Sequence, residues 1–164
     1  MLSNAAKKKI IAKAVKNHYS GKEAFCQDDY RQDCQIVMPG RDLLAVFDFK
    51  DAVLDSKRFK PLSYSIMDLV MNFTADENDM IEFIEVRTDV LKEPVPLFIF
   101  KDRLGGKYYI QKKILDLICY DPEDDDHAIY TGAKRFLYYY DRVRGELDAV
   151  IPPVIIREAN DETD

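Results

Sequence analysis

Three ionisable residues within one predicted hairpin could do chemistry with a metal ion. Asp33 stands 15 positions before Asp48, and Lys50 follows Asp48 by two positions. Because residues i and i+2 lie on one face of a strand, Asp48 and Lys50 are expected to point the same way. Two carboxylates could hold Mg²⁺, and the lysine could steady an attacking water. The spacing therefore predicts a candidate metal-dependent hydrolytic site.

This hairpin resembles the core of the PD-(D/E)xK nucleases. Their first motif would fall at Asp33 and their second at Asp48 and Lys50, so the resemblance covers only residues 33–50. It implies a metal-dependent nuclease that uses Mg²⁺. The pattern departs from the family because Cys34 follows Asp33 directly and no proline precedes it. Short acid-x-lysine patterns are common in a highly charged chain, so an ordinary structural hairpin is the favoured interpretation.

An acidic run in the segment "DPEDDDH" forms a second candidate site. It contains Asp124, Asp125 and Asp126. The run lacks the sixth-position glycine and the twelfth-position glutamate of an EF-hand loop, so it does not match that calcium site. As a contiguous acidic surface, it is predicted to engage a basic protein partner.

A final helix is predicted from about residue 133 to residue 147, with Tyr138, Tyr139 and Arg142 on its exposed side. Tyrosine and arginine are enriched at protein–protein hot spots, so these three residues are predicted to extend the partner-binding surface. Tyrosines beside basic residues can also bind nucleic acid. In that alternative, the contacts would come from Lys7, Lys8, Lys9, Lys134 and Arg135.

The charge of the chain is distributed unevenly. The net charge is −6, but residues 1–22 contain six lysines and no acid, so the remainder carries −12. An acidic body repels nucleic acid on average, which disfavours the nucleic-acid alternative. A basic protein partner is favoured instead.

The pattern of apolar residues predicts an α+β fold with one antiparallel sheet of hairpins and helices packed on one face. Residues 1–22 are predicted to form a basic amphipathic helix that begins at Ser3 and ends near Gly21. Residues 23–157 are predicted to form a single α+β domain, and residues 158–164 a flexible acidic tail. Hairpins are predicted at 35–50 and 94–113, a strand at 80–87, and a helix that begins at Ser63 or Ser65.

Several classes of function lack their usual motifs. The sequence has no phosphate-binding glycine loop, no G-x-S-x-G segment and no H-E-x-x-H segment. Its three cysteines match no zinc-binding spacing, so no metal or cofactor is predicted outside the Mg²⁺ alternative. No apolar run is long enough to span a bilayer and the first residues are not a secretory signal, so a cytoplasmic protein without a membrane partner is expected.

The sequence therefore predicts a non-enzymatic, cytoplasmic protein-binding protein. Small acidic chains of this style are common among inhibitors encoded by viruses or phages and among immunity-like proteins. The alternatives are the metal-dependent nuclease and the nucleic-acid-binding module.

Overall fold

The strands of this protein form one antiparallel sheet that is built from three meanders. The computed structural model describes residues 1–132 and 135–156. Within them the strands are β1 (Phe25–Asp29), β2 (Cys34–Gly40), β3 (Leu43–Asp48), β4 (Met80–Arg87), β5 (Leu97–Lys101), β6 (Lys107–Gln111), β7 (His127–Thr131), β8 (Leu137–Asp141) and β9 (Glu146–Ile151). Their order across the sheet is β1-β2-β3-β9-β8-β7-β4-β5-β6, so the last meander lies between the other two. The predicted α+β class with an antiparallel sheet is confirmed.

Three helices pack against this sheet in the described part of the chain. They are α1 (Asn4–Tyr19), α2 (Tyr64–Met71) and α3 (Lys112–Leu117). The hydroxyl of Ser3 accepts a hydrogen bond from the N–H of Ala6 (3.1 Å), and that of Ser63 accepts one from Ile66 (3.4 Å), so both predicted N-caps are confirmed. Among the described residues, none of the helices has the length and apolar character needed to cross a membrane.

The helices divide between the two faces of the sheet, whereas packing on one face was predicted from the sequence. Ile10 of α1 and Ile114 of α3 belong to one apolar cluster, and Val70 of α2 belongs to another. Successive residues of a strand point to opposite faces of the sheet. Accordingly, Ala45 belongs to the first cluster and Leu44 to the second, so the two clusters lie on opposite faces. The central strands are apolar on both faces, so each face needs a helix to cover it.

The predicted helix over 133–147 is wrong. The described part of that segment is the hairpin of β8 and β9, which turns at Gly145 with a φ of +68°. Tyr138 and Tyr139 contribute to opposite apolar clusters, as alternating strand residues do. A strand that is buried on both faces gives a continuous apolar run, which also satisfies helical spacing. Residues 133 and 134 lie outside the described residues.

The remaining predicted elements are confirmed with small shifts. The hairpin at 35–50 turns through Arg41 and Asp42, because Gly40 pairs with Leu43 across the two-residue loop. The hairpin of β5 and β6 lies within the predicted segment 94–113, and the strand β4 occupies 80–87 as predicted. The predicted acidic tail at 158–164 lies outside the described residues.

Candidate functional sites

The structure does not assemble the acid and lysine pattern predicted for the nuclease alternative. Strand β3 ends at Asp48, and Lys50 lies in a short 3-10 turn, so the two residues do not share a strand face. Asp48 lies 4.0 Å from the ammonium of Lys50 and 3.7 Å from the guanidinium of Arg144. Asp33 is exposed in the β1–β2 turn. Among the described residues, no group of three or more metal-binding side chains includes Asp33 or Asp48.

The residues predicted to form the partner-binding surface do not share one exposed face. Tyr138 and Tyr139 are each 3% exposed, because β8 is a central strand with both faces covered. Their prediction as exposed contact residues is therefore wrong. Arg142 is exposed in the β8–β9 turn, where its guanidinium lies 3.2 Å from the carboxylate of Glu77.

The acidic loop leads into strand β7, and its three predicted residues differ in their surroundings. Asp125 and Asp126 are exposed. Asp124 turns inward and bonds to His127.

The lysines of the predicted nucleic-acid surface also differ in exposure. Lys7 is buried, and its ammonium lies 2.8 Å from the carboxylate of Asp51. Lys8 and Lys9 are exposed on α1, and Arg135 is exposed near the start of β8. Lys134 lies outside the described residues. Lys7 is therefore already paired within the fold and does not lie on the exposed basic face that was predicted for it.

A cluster around His127 brings four ionisable side chains and the amino terminus together. It comprises His127 at the start of β7, Asp124 in the preceding loop, Asp141 at the end of β8, Asp148 in β9 and the amino group of Met1. The Nδ1 atom of His127 lies 2.9 Å from Asp124 Oδ2, and its Nε2 atom lies 2.9 Å from Asp148 Oδ2 and 4.0 Å from Asp141 Oδ2. The amino group of Met1 pairs with Asp141 and lies 3.1 Å from Asp148.

Neighbouring groups favour the charged forms of His127, Asp124 and Asp141. The hydrogen bond to Asp148 raises the pKa of His127 against the opposing effect of burial, and the bond to Asp124 adds to it. Burial opposes ionisation of Asp141, but the Met1 ammonium and the N–H of Arg144 lower its pKa overall. The ring of His127 also stacks on Tyr139, with centroids 4.7 Å apart and planes 6° apart. The cluster thus ties the strands β7, β8 and β9 to the start of α1.

The same cluster offers a set of donors that could hold a metal ion. One donor atom from each of His127, Asp141 and Asp148 lies within 4.8 Å of the others. Imidazole and carboxylate donors suit divalent transition metals. In this structure, however, the Met1 ammonium lies against both carboxylates and His127 bonds to one of them. The charges of the cluster are therefore balanced largely within the protein itself.

A second feature is a groove between the β1–β2 turn and α2, which we call the tyrosine groove. Its cavity volume is about 520 Å³. Tyr64, the first residue of α2, is 88% exposed, and Tyr30 in the turn is 77% exposed. The groove is lined by Gln27, Asp28, Asp29, Tyr30, Arg31, Leu62, Tyr64, Met67, Asp68 and Met71.

One carboxylate of the tyrosine groove is buried, and only one of its two oxygens has a hydrogen-bond partner. Asp29 is 4% exposed, and its Oδ1 atom accepts a hydrogen bond from the backbone N–H of Arg31 at 3.0 Å. Its Oδ2 atom is buried and has no hydrogen-bond partner. Buried carboxylate oxygens normally have partners, since leaving one unpaired is costly.

Neither feature was predicted from the sequence. Asp29 and Tyr64 are 35 positions apart, and no local pattern predicts that α2 lies beside the edge strand β1. The only local signal for the groove was the pair Asp29-Tyr30 ahead of a predicted strand. The His127 cluster depends on the pairing of β7, β8 and β9, which the predicted last helix concealed.

Comparisons with protein-family models, with curated proteins and with solved structures found no significant match to this chain.

Proposed function

We propose that this protein is a non-enzymatic binding protein that engages a basic surface of a partner protein through the tyrosine groove. The observation that supports this proposal is the exposure of Tyr30 and Tyr64 beside an acid-lined cavity. Tyrosine is enriched at protein–protein hot spots, because its ring supplies a large contact area and its hydroxyl a hydrogen bond. The proposed surface differs from the one predicted from the sequence, which combined the acidic loop, the tyrosines of β8 and Arg142.

The charges around the groove favour a basic partner. Asp28, Asp29 and Asp68 line it, and Arg31 is its one basic lining residue in the described structure. The chain beyond residue 22 also carries a net charge of −12. Complementary charge speeds association and disfavours acidic competitors. A role as an inhibitor or neutralising protein stays a prediction.

Site-specific crosslinking tests this proposal. A photoreactive phenylalanine analogue placed at Tyr64 should crosslink a partner protein in the native host cell. The same analogue at Tyr19, which is 79% exposed at the end of α1, is the matched control and should not crosslink that partner.

The recovered partner then allows a quantitative measurement. Tyr64→Ala should weaken its binding by about tenfold or more, as expected for a hot-spot tyrosine, while Tyr19→Ala should leave binding unchanged. Equal crosslinking from both positions, or equal affinity of the two variants, would contradict the proposal.

A further inference from the structure

The unpaired oxygen of Asp29 lies on the side of the sheet that α2 covers. Asp29 is opposite Cys34 in the register of β1 and β2, and directly opposed residues in an antiparallel pair point to the same face. Cys34 packs in the same apolar cluster as Met67 and Val70 of α2. β1 is the edge strand and Asp29 lines the groove, so this buried carboxylate lies under the groove between the sheet edge and α2.

We propose that the tyrosine groove is a binding site for the guanidinium group of an arginine side chain, which donates a hydrogen bond to Asp29 Oδ2. This inference rests on the proposed function and names the chemistry that the partner must present. A donor from outside would satisfy the one carboxylate oxygen that the fold leaves unpaired.

A guanidinium group fits this site better than an ammonium group does. It is planar and carries five N–H donors, so it can bond to a carboxylate and still present its face to an aromatic ring. Tyr30 and Tyr64 supply such rings at the groove, and both are accessible. The sulfur of Met71 already accepts a contact from a guanidinium nitrogen of Arg31 at 3.5 Å, so the wall of the groove tolerates this group.

Arg31 of the same chain does not fill this role in the structure. Its Nε atom lies 3.7 Å from Oδ1 of Asp29, the oxygen that its own backbone N–H already bonds. Its side chain is 70% exposed and extends toward Met71. Oδ2 therefore stays unpaired but buried, and a second guanidinium reaches it only when side chains of the groove move aside.

Titration with short capped peptides tests this inference without the partner protein. The peptides carry one arginine, one lysine, or one citrulline, which has nearly the shape of arginine but no charge. Backbone amide shifts in two-dimensional NMR spectra report binding. The arginine peptide should move the amides of Asp29, Tyr30 and Tyr64 in the millimolar range, and the lysine peptide should bind more weakly. The citrulline peptide should produce no saturable shift.

Two matched pairs of variants complete the experiment. Asp29→Asn should weaken arginine-peptide binding by about tenfold. Asp125→Asn changes the net charge equally at an exposed acid outside the groove and should have no effect. Tyr64→Ala should weaken binding and Tyr19→Ala should not. This second pair keeps the test valid if Asp29→Asn fails to fold.

Three results would overturn the inference: no saturable shift at the groove, equal binding of the citrulline peptide, or undiminished binding by Asp29→Asn. Failure of the peptides while Tyr64 still crosslinks a partner would reject arginine recognition and leave the proposed function intact. Failure of the crosslinking alone would reject the proposed function.

Discussion

Replacement of His127 by alanine is expected to destabilise the fold by about 3 kcal/mol near pH 5.5. The bond to Asp148, whose side chain is 4% exposed, should contribute about 2 kcal/mol as a buried charge-assisted hydrogen bond. Asp124 is 31% exposed, so solvent screening reduces its contribution to about 0.5 kcal/mol. The stacked ring of Tyr139 adds about 0.5 kcal/mol.

This loss should depend on pH in a defined direction. The pKa of His127 is raised in the folded protein, mainly by Asp148, above its ordinary value of 6.5. Its contribution is therefore complete below about pH 6.5 and is lost as the pH rises through the folded pKa. The pKa values of Asp124 and Asp141 are lowered in the folded protein. Their contribution to stability is therefore lost at the other end of the pH scale, as the solution becomes strongly acidic.

Urea unfolding of the wild type and of His127→Ala, from about pH 5.5 to pH 9, measures this effect. The difference in unfolding free energy should be largest at the acidic end and smallest at pH 9. His18→Ala removes the other histidine, which is exposed, and should cost less than about 1 kcal/mol at every pH. A His127 difference that is below 1 kcal/mol, or that grows with pH, would refute this reasoning.

Three further predictions test the fold. Ser3→Ala should lower the unfolding free energy by about 1 kcal/mol in urea, because it removes the N-cap of α1; an unchanged midpoint would contradict this role. Gly132→Ala should cost about 2 kcal/mol, since its Cβ would lie 2.5 Å from the ring of Tyr138, whereas Gly40→Ala, with its nearest atom at 3.7 Å, should change stability by less than about 0.5 kcal/mol. A thiol reagent should label Cys119 first in the native protein, because burial raises the pKa of the other two cysteines to about 12; rapid labelling of all three would contradict their burial.

Local signals in the sequence were sufficient to predict helix starts and turns, because one residue type determines the backbone conformation there. Ser3 and Ser63 predicted the beginnings of α1 and α2, and Gly105 predicted the turn between β5 and β6, where its φ is +88°. Each of these features depends on a few neighbouring residues. They could therefore be read without knowledge of the sheet.

Features that depend on distant pairing could not be predicted in this way. Tyr138 and Tyr139 are buried because β7 and β9 flank β8, and helices cover both faces of the sheet. The spacing of apolar residues around them fits a helix equally well. Asp29 gains its role only when α2 packs beside β1, which no short pattern encodes. The two candidate sites were missed for the same reason.

A crystal structure of the protein with the arginine peptide tests the central claim most directly. We predict a guanidinium nitrogen within hydrogen-bond distance of Asp29 Oδ2, with the rings of Tyr30 and Tyr64 beside it. A guanidinium bound elsewhere on the protein, or Asp29 Oδ2 paired with Arg31 in the peptide-bound crystal, would contradict the assignment of this groove.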